Sequence, residues 1–142
     1  MTITATTLDT AGSNFVLGET LRPLLTHATG SAVEVSGPSG PAEAGPPPHR
    51  HPREEIYVVL SGQLEVTAGG SAQILGPGGA AHVPAGTVHS YRNVTDARFL
   101  TITTQGDAAE FFSEAASEAG MNPPDIAGVI RVAASHDIEF VM

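Results

Sequence analysis

The 142-residue chain is predicted to form a single all-β domain, an antiparallel sandwich or barrel with short helices near its C-terminal end. Three observations predict this class. The 16 glycines and 11 prolines interrupt the chain more often than a helical bundle tolerates. Most apolar segments in the middle of the chain are short, as is typical of strands. Residues 56–60 are apolar on both faces, which is expected inside a sandwich or barrel.

The N-terminal part has the weaker pattern. Residues 1–14 are small and polar without periodicity, and they are predicted to form a flexible arm that stays loose or orders against a partner subunit. Extended segments are predicted at 21–26 and 32–36. The glycine- and proline-rich residues 37–41 are interpreted as a turn or loop, too short to separate two domains, so that residues 1–142 form one domain.

The middle of the chain carries most of the strand signal. Short apolar runs alternate with turn sequences such as Ser61-Gly62 and Gly69-Gly70, which predicts a series of hairpins. The predicted strands are residues 56–60, 64–67, 72–75, 80–83, 88–92 and 99–104.

Helical periodicity replaces the strand pattern in residues 107–135. Asp107 is predicted to cap a first helix that ends before Gly120, and a second helix is predicted to begin at Pro123 behind Asn122. Both helices have an apolar stripe, so we expect them to pack outside the β core as a lid or a dimer contact.

The charge balance excludes two classes of partner. Fifteen acidic residues outnumber six basic ones, all arginine, for a formal net charge of −9. Such a surface repels phosphate backbones and anionic lipids, so neither a nucleic-acid nor a membrane partner is expected. The N-terminus does not read as an export signal and no apolar run is long enough to span a bilayer, which predicts a soluble, cytoplasmic protein.

Four side chains with metal-ligating chemistry occur at suggestive positions. Because the chain has no cysteine, any metal site must use nitrogen and oxygen ligands. His49 and His51 flank one residue, and Pro52 favours an extended backbone that points both imidazoles the same way. Glu55 keeps the same strand parity, and His89 is expected to arrive from another strand. Three imidazoles and one carboxylate would leave about two positions open on an octahedral divalent ion.

These residues belong to two longer motifs. The chain has the pattern H-x-H-x3-E-x6-G from His49 and the pattern G-x5-P-x-G-x2-H-x3-N from Gly78. Both resemble the motifs of the cupin superfamily, except that Glu43 stands where the first motif usually opens with glycine. The resemblance covers residues 45–104. It implies a jelly-roll-like β-barrel, commonly a homodimer, with one divalent metal ion (Fe, Mn, Ni or Zn) held by His49, His51, Glu55 and His89.

The remaining histidines, His27, His82 and His136, are interpreted as surface or hydrogen-bonded side chains, because a single histidine is more often one of these than a ligand.

A second resemblance, to small single-domain cupins grouped with flavonol (quercetin) dioxygenases, suggests an oxidoreductase. The implied enzyme is a dioxygenase for a phenolic or enolic small molecule, with Glu55 also acting as the base for the substrate hydroxyl. Tyr57 and Tyr91 share strand parity with Glu55 and His89, so they are predicted either to line the pocket or to fill the core. Two alternatives stay open: a non-redox isomerase, cyclase, decarboxylase or lyase, and a metal- and ligand-binding protein without turnover.

Overall fold

The computed structural model describes residues 3–104, 108–118 and 125–141. In these residues the chain forms strands and two α-helices in the order β1 (Asn14–Val16), β2 (Glu19–Leu25), β3 (Val33–Gly40), β4 (His49–Arg50), β5 (Glu55–Ser61), β6 (Leu64–Ala68), β7 (Ser71–Leu75), β8 (Ala80–Val83), β9 (His89–Asn93), β10 (Ala97–Thr104), α1 (Ala108–Glu118), α2 (Ile126–Ala134) and β11 (Glu139–Phe140), with a short 3-10 helix at His27–Thr29.

The strands form two sheets. One has the order β1-β2-β3-β10-β5-β8 and the other the order β11-β4-β9-β6-β7, and the paired strands are antiparallel. The all-β prediction is confirmed. The expected closed barrel is not: within the described residues no ladder of hydrogen bonds joins the two sheets, so they form a sandwich whose layers are held together by side chains.

The core between the sheets is small and aromatic. Tyr57, Val59 and Phe99 from the first sheet pack with Leu64 and Val66 from the second. Tyr57, Leu64 and Phe99 are completely buried, which explains why β5 needs apolar residues on its inner face. The outer face of the same strand is half-buried at Ile56 and Val58 and exposed at Leu60.

The interpretation of residues 37–41 as a turn was wrong, because β3 continues to Gly40. Pro38 is tolerated there because the ladder between β10 and β3 pairs Arg98 with Ser39 and next Thr101 with Ser36. The register of this ladder does not shift, but the pairs that would involve Gly37 and Pro38 are absent, so the ladder uses no amide hydrogen at Pro38. A side chain at Gly37 would collide with Leu8 of the N-terminal segment.

The first hairpin lies earlier than predicted. Leu17 and Gly18 both have positive φ, which is the conformation of a tight two-residue turn between β1 and β2. The segment 21–26 predicted as a strand therefore belongs to a longer β2, and the predicted arm of residues 1–14 overlaps the first residue of β1.

The two helices form a second apolar cluster outside the sandwich core, as predicted. Phe111 and Ala115 of α1 pack with Val129 and Val132 of α2 against β1 and β2. Asp125 caps α2 by accepting a hydrogen bond of 2.9 Å from the Gly128 amide. Asp107, Gly120, Asn122 and Pro123 lie outside the described residues. Neither described helix is long and apolar enough to cross a membrane.

Candidate metal centre and cavity

The structure brings together the four side chains singled out in the sequence. His49 on β4 and His89 on β9 are direct cross-strand partners, and His51 directly follows β4. Glu55 is the first residue of β5, so its carboxylate comes from the opposite sheet. All four side chains are buried, and one potential ligand atom from each lies within 4.8 Å of the others. The cluster therefore spans the gap between the two sheets.

Each histidine is oriented by a backbone carbonyl that is two residues away. Nδ1 of His49 lies 2.9 Å from the Pro47 oxygen, and Nδ1 of His51 lies 3.0 Å from the Arg53 oxygen. Nδ1 of His89 lies 2.8 Å from the Thr87 oxygen. Because Nδ1 donates its hydrogen to a carbonyl, the lone pair of the neutral ring is on Nε2, which is the tautomer a metal ligand needs. The donor set therefore fits a divalent metal ion.

Two loops are fixed against each other around these ligands. The Gly86 amide donates a hydrogen bond of 2.8 Å to the His51 carbonyl, which ties the turn before His89 to the loop of His51. Gly45 lies so close to β9 that an added Cβ would be 2.0 Å from the backbone carbonyl oxygen of Tyr91. The glycine that the first motif lacks at Glu43 is thus needed two positions later.

The electrostatics differ between the histidines of the cluster: His49 is held neutral, whereas the ionised Glu55 favours the charged form of His89. Burial lowers the pKa of His49 to about 4. Burial alone would raise the pKa of Glu55, but hydrogen bonds with His51 and His89 outweigh it and hold the pKa well below its usual range. Burial also acts to lower the pKa of His89, yet the hydrogen bond with Glu55 raises it overall. One oxygen of Glu55, Oε2, makes both contacts, at 2.9 Å to His51 and 3.2 Å to His89.

A cavity of about 80 Å³ opens beside His49, His51 and Glu55. Its wall is mostly apolar, and Tyr91 is on it. Tyr57 lies behind Tyr91 instead, completely buried and packed edge-on against the Tyr91 ring at 5.5 Å. Other residues of the wall come from the end of β1 and the turn after it, from α1 and from the C-terminal segment, namely Val16, Leu17, Phe111, Phe112, Ile138 and Phe140.

Sequence reasoning missed two charged residues of the cavity wall, Glu19 and Arg53. Both are buried, and the Arg53 guanidinium donates a hydrogen bond of 3.1 Å to the His136 carbonyl. The available signal for Glu19 was its strand parity. Glu19 is two residues from both Leu17 and Leu21, so the pattern places it on the same inward face as these apolar residues. Arg53 lies between two motif residues and has no signal of its own.

The other histidines are hydrogen-bonded or exposed. His82 pairs with Glu54 at the surface at 2.9 Å, and His136 is buried and contacts Glu114 of α1 at 2.7 Å. The His27 ring is exposed. None of the three belongs to the cluster of ligands, in agreement with their interpretation.

Fold and site together define a class: a two-sheet antiparallel protein with a buried three-histidine, one-carboxylate centre at one end of the sandwich. Residues 40–103 match the family model described as the cupin domain. Residues 40–103 therefore form a cupin domain.

Its relatives carry different names. It is 32% identical over 106 residues to quercetin 2,3-dioxygenase of Bacillus subtilis, covering 72% of this chain and 32% of that protein. It is 39% identical over 72 residues to the β-D-galactosidase Rv1717 of Mycobacterium tuberculosis, covering 51% of this chain and 59% of that one. The chain thus spans about a third and somewhat over half of these two relatives. The polyketide cyclase RemF of Streptomyces resistomycificus shares the fold, with a TM-score of 0.65, 21% identity and coverage of 72% and 80% of the two chains.

Proposed function

We propose that the protein is a metal-dependent dioxygenase that acts on a phenolic or enolic small molecule. The observation that carries the proposal is the buried cluster of His49, His51, Glu55 and His89 at the wall of an apolar cavity. The 32% identity to a quercetin 2,3-dioxygenase supports the redox form of the proposal.

The ion we expect at this centre is Fe, Mn or Ni, which would supply a Lewis-acidic position for a substrate oxygen and a site for dioxygen chemistry. The chain supplies the rest. His49 and His89 hold their Nε2 atoms towards the cluster through their bonds to Pro47 and Thr87. The aromatic wall excludes water from the reacting groups and packs against a flat ligand.

The cavity volume restricts which ligands enter without rearrangement. A cavity of roughly 150 Å³ binds benzene, whereas this cavity measures about 80 Å³. A phenolic ring therefore enters only if Phe111, Phe112 or Phe140 moves outward. We expect a one-ring substrate to enter by movement of one of these side chains. A larger substrate requires an outward movement of α1, on which two of the three residues lie.

The test is oxygen consumption by protein reconstituted separately with Fe, Mn and Ni, measured against a panel of phenolic and enolic compounds. The proposal expects consumption that depends on both metal and substrate and that is lost in His49→Ala. A flat oxygen trace from metal-replete protein with every compound contradicts it.

A second candidate is non-redox chemistry at the same centre, such as hydrolysis, isomerisation or cyclisation with a Zn ion as Lewis acid. One observation favours it: two buried carboxyl groups of the cavity wall have pKa values shifted apart, below the usual range for Glu55 and raised to about 7 for Glu19. Such pairs perform acid–base catalysis. The 39% identity to a β-D-galactosidase points the same way.

The two candidates differ in metal and in products. Elemental analysis of the purified protein that gives Zn, together with turnover of an aryl galactoside without oxygen uptake, would favour the second. A redox-active metal with oxygen uptake would favour the first.

A further inference from the structure

Glu19 occupies a position in the cavity that is built around it. Its side chain is 2% exposed and lines the same cavity as His49 and His51. Its stem packs over Gly40 of β3, where an added Cβ would lie 3.2 Å from the Glu19 Cγ. The missing side chain of Gly40 thus makes room for a carboxyl group inside a mostly apolar wall.

The two oxygens of this carboxyl group differ. Oε1 accepts a short hydrogen bond from the Tyr91 hydroxyl. Oε2 is buried and has no hydrogen-bond partner within the described residues. A buried carboxyl oxygen without a partner is costly, so such a group at a cavity wall indicates a place for a ligand's polar atom.

Glu19 is better suited than Glu55 to exchange a proton. Oε2 of Glu55 is engaged by both His51 and His89, and the carboxylate is a candidate metal ligand, so it is less available to accept a ligand's proton. Burial raises the pKa of Glu19 to about 7, although the side chains of Tyr91 and Asn93 oppose the shift. A carboxyl group with that pKa changes protonation state near neutral pH, where general acid–base groups are most effective.

We propose that Glu19 is the acid–base group that takes the hydroxyl proton of a ligand bound in the cavity, and that Tyr91 is its positioning residue. The inference rests on the proposed function, because it requires a ligand with an acidic hydroxyl. In the proton transfer the ligand O–H bond breaks, its electron pair stays on the ligand oxygen, and the proton bonds to Oε2 to give a neutral carboxyl group. The polar groups that surround Glu19 are Tyr91, Tyr57 and Asn93, and the charged or titratable groups of the cavity wall are His49, His51, Arg53 and Glu55.

The test counts the protons released when catechol binds to the Zn-loaded protein, in which dioxygen chemistry plays no part. Isothermal titration calorimetry in buffers of different ionisation enthalpy gives this number. At pH 8 Glu19 is ionised in the free wild type. In the complex it keeps the proton that it takes, because the anionic ligand oxygen beside it raises its pKa further, so release is close to zero. In Glu19→Gln it rises to about one per site. At pH 6 Glu19 is already protonated, so both proteins release about one.

Two further variants sharpen the result. Glu54→Gln removes an exposed carboxylate that pairs with His82 at the surface, and it should behave as the wild type. Tyr91→Phe removes the hydrogen bond that lowers the pKa of Glu19. The pH at which proton release on catechol binding falls from about one to about zero should therefore be higher in this variant. A Tyr91 that only filled space would leave that pH unchanged.

The outcomes separate the inference from the proposed function. Equal proton release at pH 8 by the wild type and Glu19→Gln, with catechol binding intact in both, overturns the role of Glu19 alone. Failure of the wild type to bind catechol overturns the phenolic substrate class and the role of Glu19 towards it. The expected proton numbers in a protein that consumes no oxygen keep the inference and reject the dioxygenase.

Discussion

The histidines of the candidate metal centre are held in fixed orientations by the backbone. The carbonyls of Pro47, Arg53 and Thr87 each fix one ligand histidine through Nδ1, so little ordering remains to be done when Nε2 binds. The low pKa of His49, about 4, keeps that ring neutral across the neutral and mildly acidic range. Its exchange for a residue without a ring removes a ligand without leaving a buried charge.

We predict that His49→Ala and His89→Ala each lose the metal and keep the fold. Removal of a residue that only hydrogen-bonds to a metal ligand lowers metal affinity by roughly 10–100-fold. Because these variants remove a ligand itself, their metal affinity should fall by more than that. Elemental analysis after dialysis measures the loss, and circular dichroism checks the sheets. His82→Ala is the matched control, because His82 is exposed and pairs only with Glu54 in the described contacts. Wild-type metal content in both ligand variants would refute the assignment.

A second prediction concerns Glu19 and the pH dependence of stability. Its pKa is raised in the folded protein from 4.5 to about 7, so the folded state holds a proton that the unfolded state has released. This contribution is fully present below pH 4.5 and is lost as pH rises through 7. Relative to Glu19→Gln, the free energy of unfolding of the wild type should therefore fall by up to about 3 kcal/mol between pH 4.5 and 7.

Urea unfolding of both proteins in chelator, repeated across this pH range, measures the difference. His49 changes stability in the opposite direction, but it is common to both proteins and cancels. Glu54→Gln should run parallel to the wild type. A difference between wild type and Glu19→Gln that is constant with pH would show that Glu19 titrates normally.

At this scale the sequence is informative where chemistry imposes spacing. The separations of His49, His51 and Glu55 and the turn before His89 were enough to propose the centre. Glu19 could not be placed, because its role depends on the register of β2 against β3 and on the space above Gly40, which no local pattern encodes.

Among the elements, β3 shows how tertiary context overrides local signals. The glycines and prolines of this segment predict a turn, yet β2 and β10 flank β3 on both sides and extend it through Pro38. The missing amide hydrogen of Pro38 is tolerated because the ladder with β10 lacks the pair at that residue. The strands from 56 to 104 followed their patterns closely, because alternation and turn residues agree there.

Helix α1 is anchored to its neighbours by two contacts and contributes Phe111 and Phe112 to the cavity wall. Glu34 of β3 accepts a hydrogen bond of 3.3 Å from the Ala109 amide in its first turn, and Glu114 contacts His136 at 2.7 Å. Between these anchors, Phe111 packs in the apolar cluster and Phe112 is only half-buried. Phe112 is therefore the aromatic residue of the helix that can be truncated with less loss of packing.

We predict that Phe112→Ala enlarges the cavity and shifts ligand preference towards two-ring compounds. Catechol binding should tighten modestly, because its ring also needs one of these side chains to move, whereas a flavonol should gain at least several-fold more, because its second ring needs the larger space. Calorimetric titration of the Zn-loaded protein with both ligands gives the ratio. Phe15→Ala is the control, since Phe15 is 46% exposed on β1 and is not part of the cavity wall. An unchanged ratio would place the size restriction elsewhere.

For the whole molecule, the notable property is that two sheets are joined by side chains instead of a closed hydrogen-bond network. Sequence alternation predicts which faces are buried but not whether the edges meet, so the closed barrel was expected and an open sandwich is found. The homodimer stays a prediction, which sedimentation equilibrium tests. The candidate metal centre links the two sheets. Its three histidines come from strands of the second sheet or the residue directly after one, and its carboxylate comes from the first sheet.

We therefore predict that a bound ion stabilises the sandwich as a whole. Zn at about 1,000 times its dissociation constant should raise the free energy of unfolding by about 4 kcal/mol, because unfolding separates Glu55 from the histidines and releases the ion. Thermal unfolding with Zn and with chelator measures the increment. His82→Ala should retain the increment, and His49→Ala should lose it while its stability in chelator stays close to that of the wild type. An ion that left the unfolding temperature of the wild type unchanged would mean that these four side chains do not bind it in the folded state, because any site formed only on folding must transfer its binding free energy to stability.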